Sequence, residues 1–352
     1  KAGHGLLRRA AMLFTVFLGV AAVAPQLSGL RATAQALARA QWWLPPAVIG
    51  FTLAAVAVQA ELLRVVLKVG GEQPRHALLL RLAFARNALS RILPAGGATG
   101  LAVTVAILAR HGVDAARATS ALAATGVVSF GVLVVILPLA ALPALGGGSV
   151  GREVVAGGAA ALLIGAAAVG ALAVVRRPRF VASLAARLAG LFARGPLRRW
   201  LDPNRVEATA LRGVTVVSVL GNNRAALSAA AGWAAMSWLL DLGALLVVSA
   251  TIGQGTPLRF LPLAFVAAQL AATVPITPGG VGVVEATMIG VLVGGGGTAA
   301  AATAATLGWR LISHWLPVVV GLAALPTLGA RPLRQLALPS PQGEGEADFR
   351  EQ

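Results

Sequence analysis

Six ionisable side chains stand inside long apolar runs of this chain: Arg86, Arg91, Asp241, Glu285, Arg310 and His314. An ionisable group at membrane depth is costly and is kept where it faces a partner or a wet cavity. A guanidinium so placed suits a phosphate, which it can grip through two parallel N–H groups. A carboxylate there suits a counter-charge or a proton carrier. Arg91 lies three residues before Pro94 and is the deepest cation of its segment, so we read it as a headgroup ligand. Arg86 and Asn87 precede it and join the same expected substrate site, although a five-residue spacing keeps Arg86 and Arg91 off a common helix face. Arg81 is read as snorkelling to the surface. Arg310 is read with Arg86 and Arg91 as a phosphate ligand in the substrate site, with Glu285 and Asp241 its nearest candidate counter-charges by topology, and it shares a helix face with His314 four residues on. Asp241 lies mid-span, and Glu285 follows a break in the chain; both are read as counter-charges or proton carriers, with His314 beside them. Glu285 also suits its helix dipole. The four histidines, His4, His76, His111 and His314, have no metal-ligand spacing, so no metal, other cofactor or catalytic constellation is expected.

Two interruptions position these groups. One is Pro94-Ala95-Gly96-Gly97, within Asn87 to Gly100; the other is Pro275-Ile276-Thr277-Pro278-Gly279-Gly280, within Val274 to Glu285. Backbone broken at membrane depth must be buried in protein or line a wet cavity, because lipid satisfies no N–H or C=O group. A helix restarting after each Gly-Gly would aim free N–H groups and a positive dipole end at the midplane. That is an anion site made of backbone, with Gly96, Gly97, Gly279 and Gly280 as donors and Thr99 and Gly282 alongside. No Gly-Lys-Ser/Thr follows either pair, so neither is a P-loop.

The composition agrees with membrane depth. The chain has 352 residues, 57% hydrophobic and 12% charged, with a net charge of +17 and no cysteine. A soluble domain is about half apolar and a quarter charged. The positive charge reads as the excess of inner loops and as attraction to anionic headgroups. No aromatic-interleaved basic patch points to nucleic acid, and no disulfide or thiolate chemistry is open to the chain.

Full spans are expected at 10–30, 44–67, 118–143, 154–175, 225–251 and 300–328, each about 20 residues or more. The first resembles a signal peptide, but cleavage after Ala24 would leave Pro25 at the cut, so we read it as an uncleaved helix. Residues 78–110 and 260–296 are cut into pieces too short to span comfortably and are read as re-entrant helical hairpins. Arginine and lysine place both termini inside, with a basic inner loop at 176–224 and a disordered inner tail at 331–352. Span, hairpin, span over 44–143 then repeats in inverted orientation over 225–328, within one membrane domain covering 1–330. A hairpin and a pair of crossings have the same parity, so the charge pattern fixes the ends and not the depth of the tips.

Three stretches resemble the membrane domain of the lysylphosphatidylglycerol synthase family, also called the flippase-like or UPF0104 family. They are Asn87 to Gly97 followed by Leu108 to Val113, Leu270 to Glu285, and Trp309 to Pro317. The resemblance covers about residues 10 to 330. The family's best-known members fuse this domain to a soluble aminoacyl-transferase domain, attach lysine to phosphatidylglycerol and move the product outward. No such second domain stands in this sequence, so the resemblance implies no synthase activity here. Many relatives carry an acidic residue after the first Gly-Gly, where this chain has Ala98-Thr99-Gly100.

The expectation is an all-α polytopic protein of a bacterial cytoplasmic membrane, with about six spans and two hairpins, that is not an enzyme. It would move an anionic or zwitterionic phospholipid, or a lipid-linked precursor, between leaflets, by alternating access about a midplane site. The alternatives are a scaffold recruiting an envelope-synthesis enzyme through the basic inner loop, and, behind it, a lipid-modifying transferase using Glu285 with His314. Self-association into a homo-oligomer stays open.

Overall fold

The computed structural model describes residues 44–92, 96–145, 219–252, 255–273 and 278–329. The expected spans at 10–30 and 154–175, the inner loop except its last few residues, and the tail lie outside the described residues. Within them the main α-helices are α1 (Leu44–Val69), α2 (His76–Ile92), α3 (Gly96–Arg110), α4 (Ala115–Leu145), α5 (Arg224–Ile252), α6 (Leu261–Ala271), α7 (Val283–Gly294) and α8 (Ala299–Ala324), and no strand occurs among the described residues.

Four of these, α1, α4, α5 and α8, are long and apolar enough to cross a membrane. They match the expected spans at 44–67, 118–143, 225–251 and 300–328. The last ends earlier, because Pro326 opens a short 3-10 turn to Leu328 and Gly329 closes it in the left-handed region. The helices around the breaks are shorter: α2 has 17 residues, α3 15, α6 11 and α7 12. At 1.5 Å per residue these are about 26, 23, 17 and 18 Å, against roughly 30 Å of hydrocarbon.

Local sequence sets the helix starts. Asp114 accepts from the Arg117 backbone N–H at 2.9 Å, Asn223 from that of Ala226 at 3.0 Å, and Thr298 from that of Ala301 at 3.2 Å. Each short polar side chain satisfies one of the donors a helix start leaves open. Arg117 also pairs with Glu72 at 3.0 Å, tying the start of α4 to the turn after α1.

In lipid, helices associate by close packing more than by hydrophobic burial, which favours small residues at contacts. The α1–α5 contact buries Ala55, Ala60, Ala230 and Ala234. The α2–α8 contact depends on Gly321, where a Cβ would run into the Phe84 carbonyl and come within 2.7 Å of the Ala88 Cβ. Two apolar cores result. One joins α1, α2, α3, the first half of α4 and the start of α5, around Leu62, Leu67, Leu79, Leu82 and Leu108. The other joins the second half of α4 with α5, α6, α7 and α8, around Leu137, Leu245, Phe265, Met288 and Trp309.

Candidate substrate site

Pro317 sits inside α8 and brings no N–H to the carbonyl four residues earlier, that of Ser313. Arg91, near the end of α2, fills the gap. Its Nη1 donates to the Ser313 carbonyl and, at 2.8 Å, to the His314 carbonyl. The guanidinium is thereby fixed against the middle of α8 without a carboxylate in ion-pair contact among the described residues.

The second break supplies the opposite wall. Gly279 has φ 63°, open to glycine at no cost, and a Cβ there would come within 2.8 Å of the His314 ring. Three residues on, Gly282 donates its N–H to the Glu285 carboxylate at 2.6 Å, closing the start of α7 with that helix's own side chain. The other oxygen of Glu285 accepts from Arg310 Nε at 2.7 Å, and Arg310 Nη2 donates to the Gly279 carbonyl at 3.1 Å. Glu285 and Arg310 are each only 8% exposed, so this ion pair is almost fully desolvated. Such a pair holds only with good geometry and further hydrogen bonds, and both partners here have them.

Asp241, mid-way along α5, accepts from Trp309 Nε1 at 3.1 Å and from Gln269 Nε2 at 3.3 Å. It lies within electrostatic range of Arg91 and Arg310 without an ion-pair contact to either. Trp309 meets Phe265 edge-on at 5.8 Å, and Phe265 meets Trp238 at 6.3 Å, an aromatic wall that fixes the indole N–H on the carboxylate. His314 is 6% exposed, and its Nδ1 has no hydrogen-bond partner.

The geometry therefore gathers Arg91, Asp241, Gly279, Gly282, Glu285, Arg310 and His314 in one region. Gly280 is beside them but packs on Ala272 and Val284. Gly279 contributes its carbonyl as an acceptor, and the Gly282 N–H is already taken, so part of the expected backbone donor set is occupied from within. Gly96 and Gly97 open α3, and Gly97 faces open space; the Thr99 side chain lies outside the description. Arg86 and Asn87 turn away toward α1, where Arg86 Nη2 and Asn87 Nδ2 both donate to Gln59 Oε1, at 3.2 and 3.1 Å.

Sequence reasoning missed Gln59, Gln269, Ser237 and the indole of Trp309. The available signal was a lone amide in an apolar run, as in Val58-Gln59-Ala60 and Ala268-Gln269-Leu270. Among the described residues no three His, Cys, Asp or Glu side chains come together as a metal set.

Glu285, Arg310 and His314 are buried inside, while Val135, Leu139, Leu142, Val319 and Leu322 lie exposed on the long helices. That inversion defines a multi-pass helical membrane protein built around a polar centre. The chain belongs to the family described as the lysylphosphatidylglycerol synthase TM region, which matches residues 11–321. It is similar to a UPF0104 membrane protein of Methanothermobacter thermautotrophicus, 31% identical over 93 residues. That match spans 26% of this chain and 28% of the relative. No solved structure matches the chain.

Proposed function

We propose that this protein moves a phosphate-bearing lipid, a phospholipid or a lipid-linked precursor, between the leaflets of a cell membrane. The headgroup passes through the region where the two broken helix pairs meet α8. The observation that carries this reading is Arg91: a guanidinium deep in the protein, anchored by one nitrogen to backbone carbonyls, with no carboxylate in contact among the described residues. Arg310 is less available, since Glu285 and Gly279 already hold it. Asp241 is the counter-charge in range of Arg91 and the acceptor for a cationic part of a headgroup. Glu285 uses one oxygen on Arg310 and the other on Gly282, which favours a positioning role over acid–base work with His314 and so favours transport over group transfer.

Two features support an inverted pair of units with re-entrant hairpins. Each half supplies most of one apolar core and lends residues to the other, Ala230 and Ala234 of α5 to the first and Val48 of α1 and Leu137 of α4 to the second. The packing also exchanges in kind: α2 lies on α8 as α6 lies on α4, and α1 on α4 as α5 on α8, while α1 and α5 meet each other. Alternating access about a fixed site is the mechanism this arrangement suits. Both termini on the cytoplasmic side belong to the same proposal.

The test is lipid movement in proteoliposomes, with headgroup-labelled and tail-labelled lipids, comparing wild type with Arg91→Gln. Headgroup-dependent movement that falls about tenfold or more in the variant supports the reading, since one charged hydrogen bond is worth about that factor. No movement of any lipid by folded wild type, with and without a proton gradient, rejects it.

A further inference from the structure

Arg81 and Arg86 stand five residues apart on α2 and have different fates. Arg81 is exposed and reaches the carbonyls of Ala77 and Thr327 at the basic end of the molecule. Arg86 lies about 7.5 Å further along the helix. Its only hydrogen-bond partner among the described residues is the neutral Gln59 amide, and no carboxylate there is in ion-pair reach of it. Gln59 Oε1 is shared with Asn87, and Gln59 Nε2 points to Ser237 Oγ at 3.4 Å, which in turn donates to the Ala55 carbonyl at 3.0 Å. The amide is thus oriented from behind, with its oxygen turned toward Arg86. Gln59, Arg86 and Asn87 are all half-buried, so the cluster is not sealed.

A cation at this depth without a counter-ion is unfavourable unless an anion or water reaches it. Its placement is also regular. Ser237 lies one helical turn before Asp241 on the same face of α5, and Arg86 precedes Arg91 on α2. Both helices therefore put the Gln59 cluster about one turn from the central charges, on the side where α1 ends in Lys68 and α2 begins.

We infer that Arg86, Asn87 and Gln59 form a second anion-binding station, separate from the Arg91 region and one turn nearer the basic face, that takes a phosphate group. Its use as a step in transport rests on the function proposed above; its binding of an anion does not.

The full chain in dodecyl maltoside is titrated with dioctanoyl phosphatidic acid and, separately, with inorganic phosphate, counting bound equivalents by native mass spectrometry and affinity by calorimetry. Wild type is expected to bind two equivalents of the lipid. Arg86→Gln should weaken one of them about tenfold or more. Gln59→Glu should do the same without removing the cation, because an internal carboxylate then neutralises Arg86; this variant serves if Arg86→Gln fails to fold. Inorganic phosphate competing for that equivalent marks a free-anion site, and lipid binding without such competition marks a headgroup site; either supports the station. Two equivalents at wild-type affinity in folded Gln59→Glu overturn it. Station binding lost in these variants, with wild type moving no lipid, keeps this site and removes the proposed function. Unchanged binding in Gln59→Glu, with movement lost in Arg91→Gln, does the reverse.

Discussion

Arg91 and Pro317 meet through one backbone carbonyl, that of Ser313, which the proline leaves without its helical donor and the arginine then satisfies. The two residues are on different helices, so a defect in α8 has been turned into the contact that holds α2. Removing Arg91 orphans a buried carbonyl. Arg91→Leu should therefore destabilise the wild-type chain by about 1–3 kcal/mol. In a Pro317→Ala background the helix regains its own N–H, and the same substitution should cost clearly less. Thermal unfolding in detergent, followed by far-UV circular dichroism, measures both; equal costs in the two backgrounds would reject the coupling.

The Glu285–Arg310 pair should be strongly interdependent. Truncating either partner to alanine leaves an uncompensated buried charge, at about 3–5 kcal/mol. The double variant should be less damaged than the sum of the two. Glu285→Gln should be milder than Glu285→Ala, since the amide oxygen still accepts from Arg310. A double-mutant cycle on unfolding midpoints reads the coupling directly.

Gly279→Ala should cost about 1–3 kcal/mol, because φ 63° disfavours a side chain and the new Cβ would press on His314. Adding His314→Ala should recover the part due to crowding and leave the part due to backbone strain. Unfolding midpoints of the single and double variants separate the two; no recovery would mean that backbone strain alone carries the cost.

Trp309→Phe keeps an aromatic ring against Phe265 and removes one donor from Asp241. Stability should fall by about 1 kcal/mol, while lipid movement should fall by more than unfolding explains, because the carboxylate is no longer held. Movement at the wild-type rate would place Asp241 outside the path.

Membrane class, the four long spans and the two breaks were legible because prolines, paired glycines and charges within apolar sequence have few meanings. Arg310 needed a buried carboxylate, and the sequence offered only Glu285 and Asp241 nearby in the topology. What was not legible depends on register between helices. The missing donor at Ser313 follows from Pro317 four residues later, yet nothing local says that Arg91 fills it. The five-residue spacing separated Arg86 from Arg91 but could not name the face each meets. Gln59 and Gln269 escaped notice because neutral amides carry little cost until a structure shows what they orient. The end of α8 at Ala324 was missed because the apolar run continues through Pro326 to Leu328.

The carbonyl shared by Arg91 and Pro317 also sets an order on the substitutions a lineage can accept. A sequence that first replaces Pro317 restores the continuous helix, relieves Arg91 of the Ser313 carbonyl and leaves it the His314 carbonyl. A sequence that first replaces Arg91 inherits an unpaired carbonyl at once and pays in stability before any gain. For the Ser313 carbonyl the order of replacement therefore matters: losing the proline first leaves it bonded, and losing the arginine first leaves it bare.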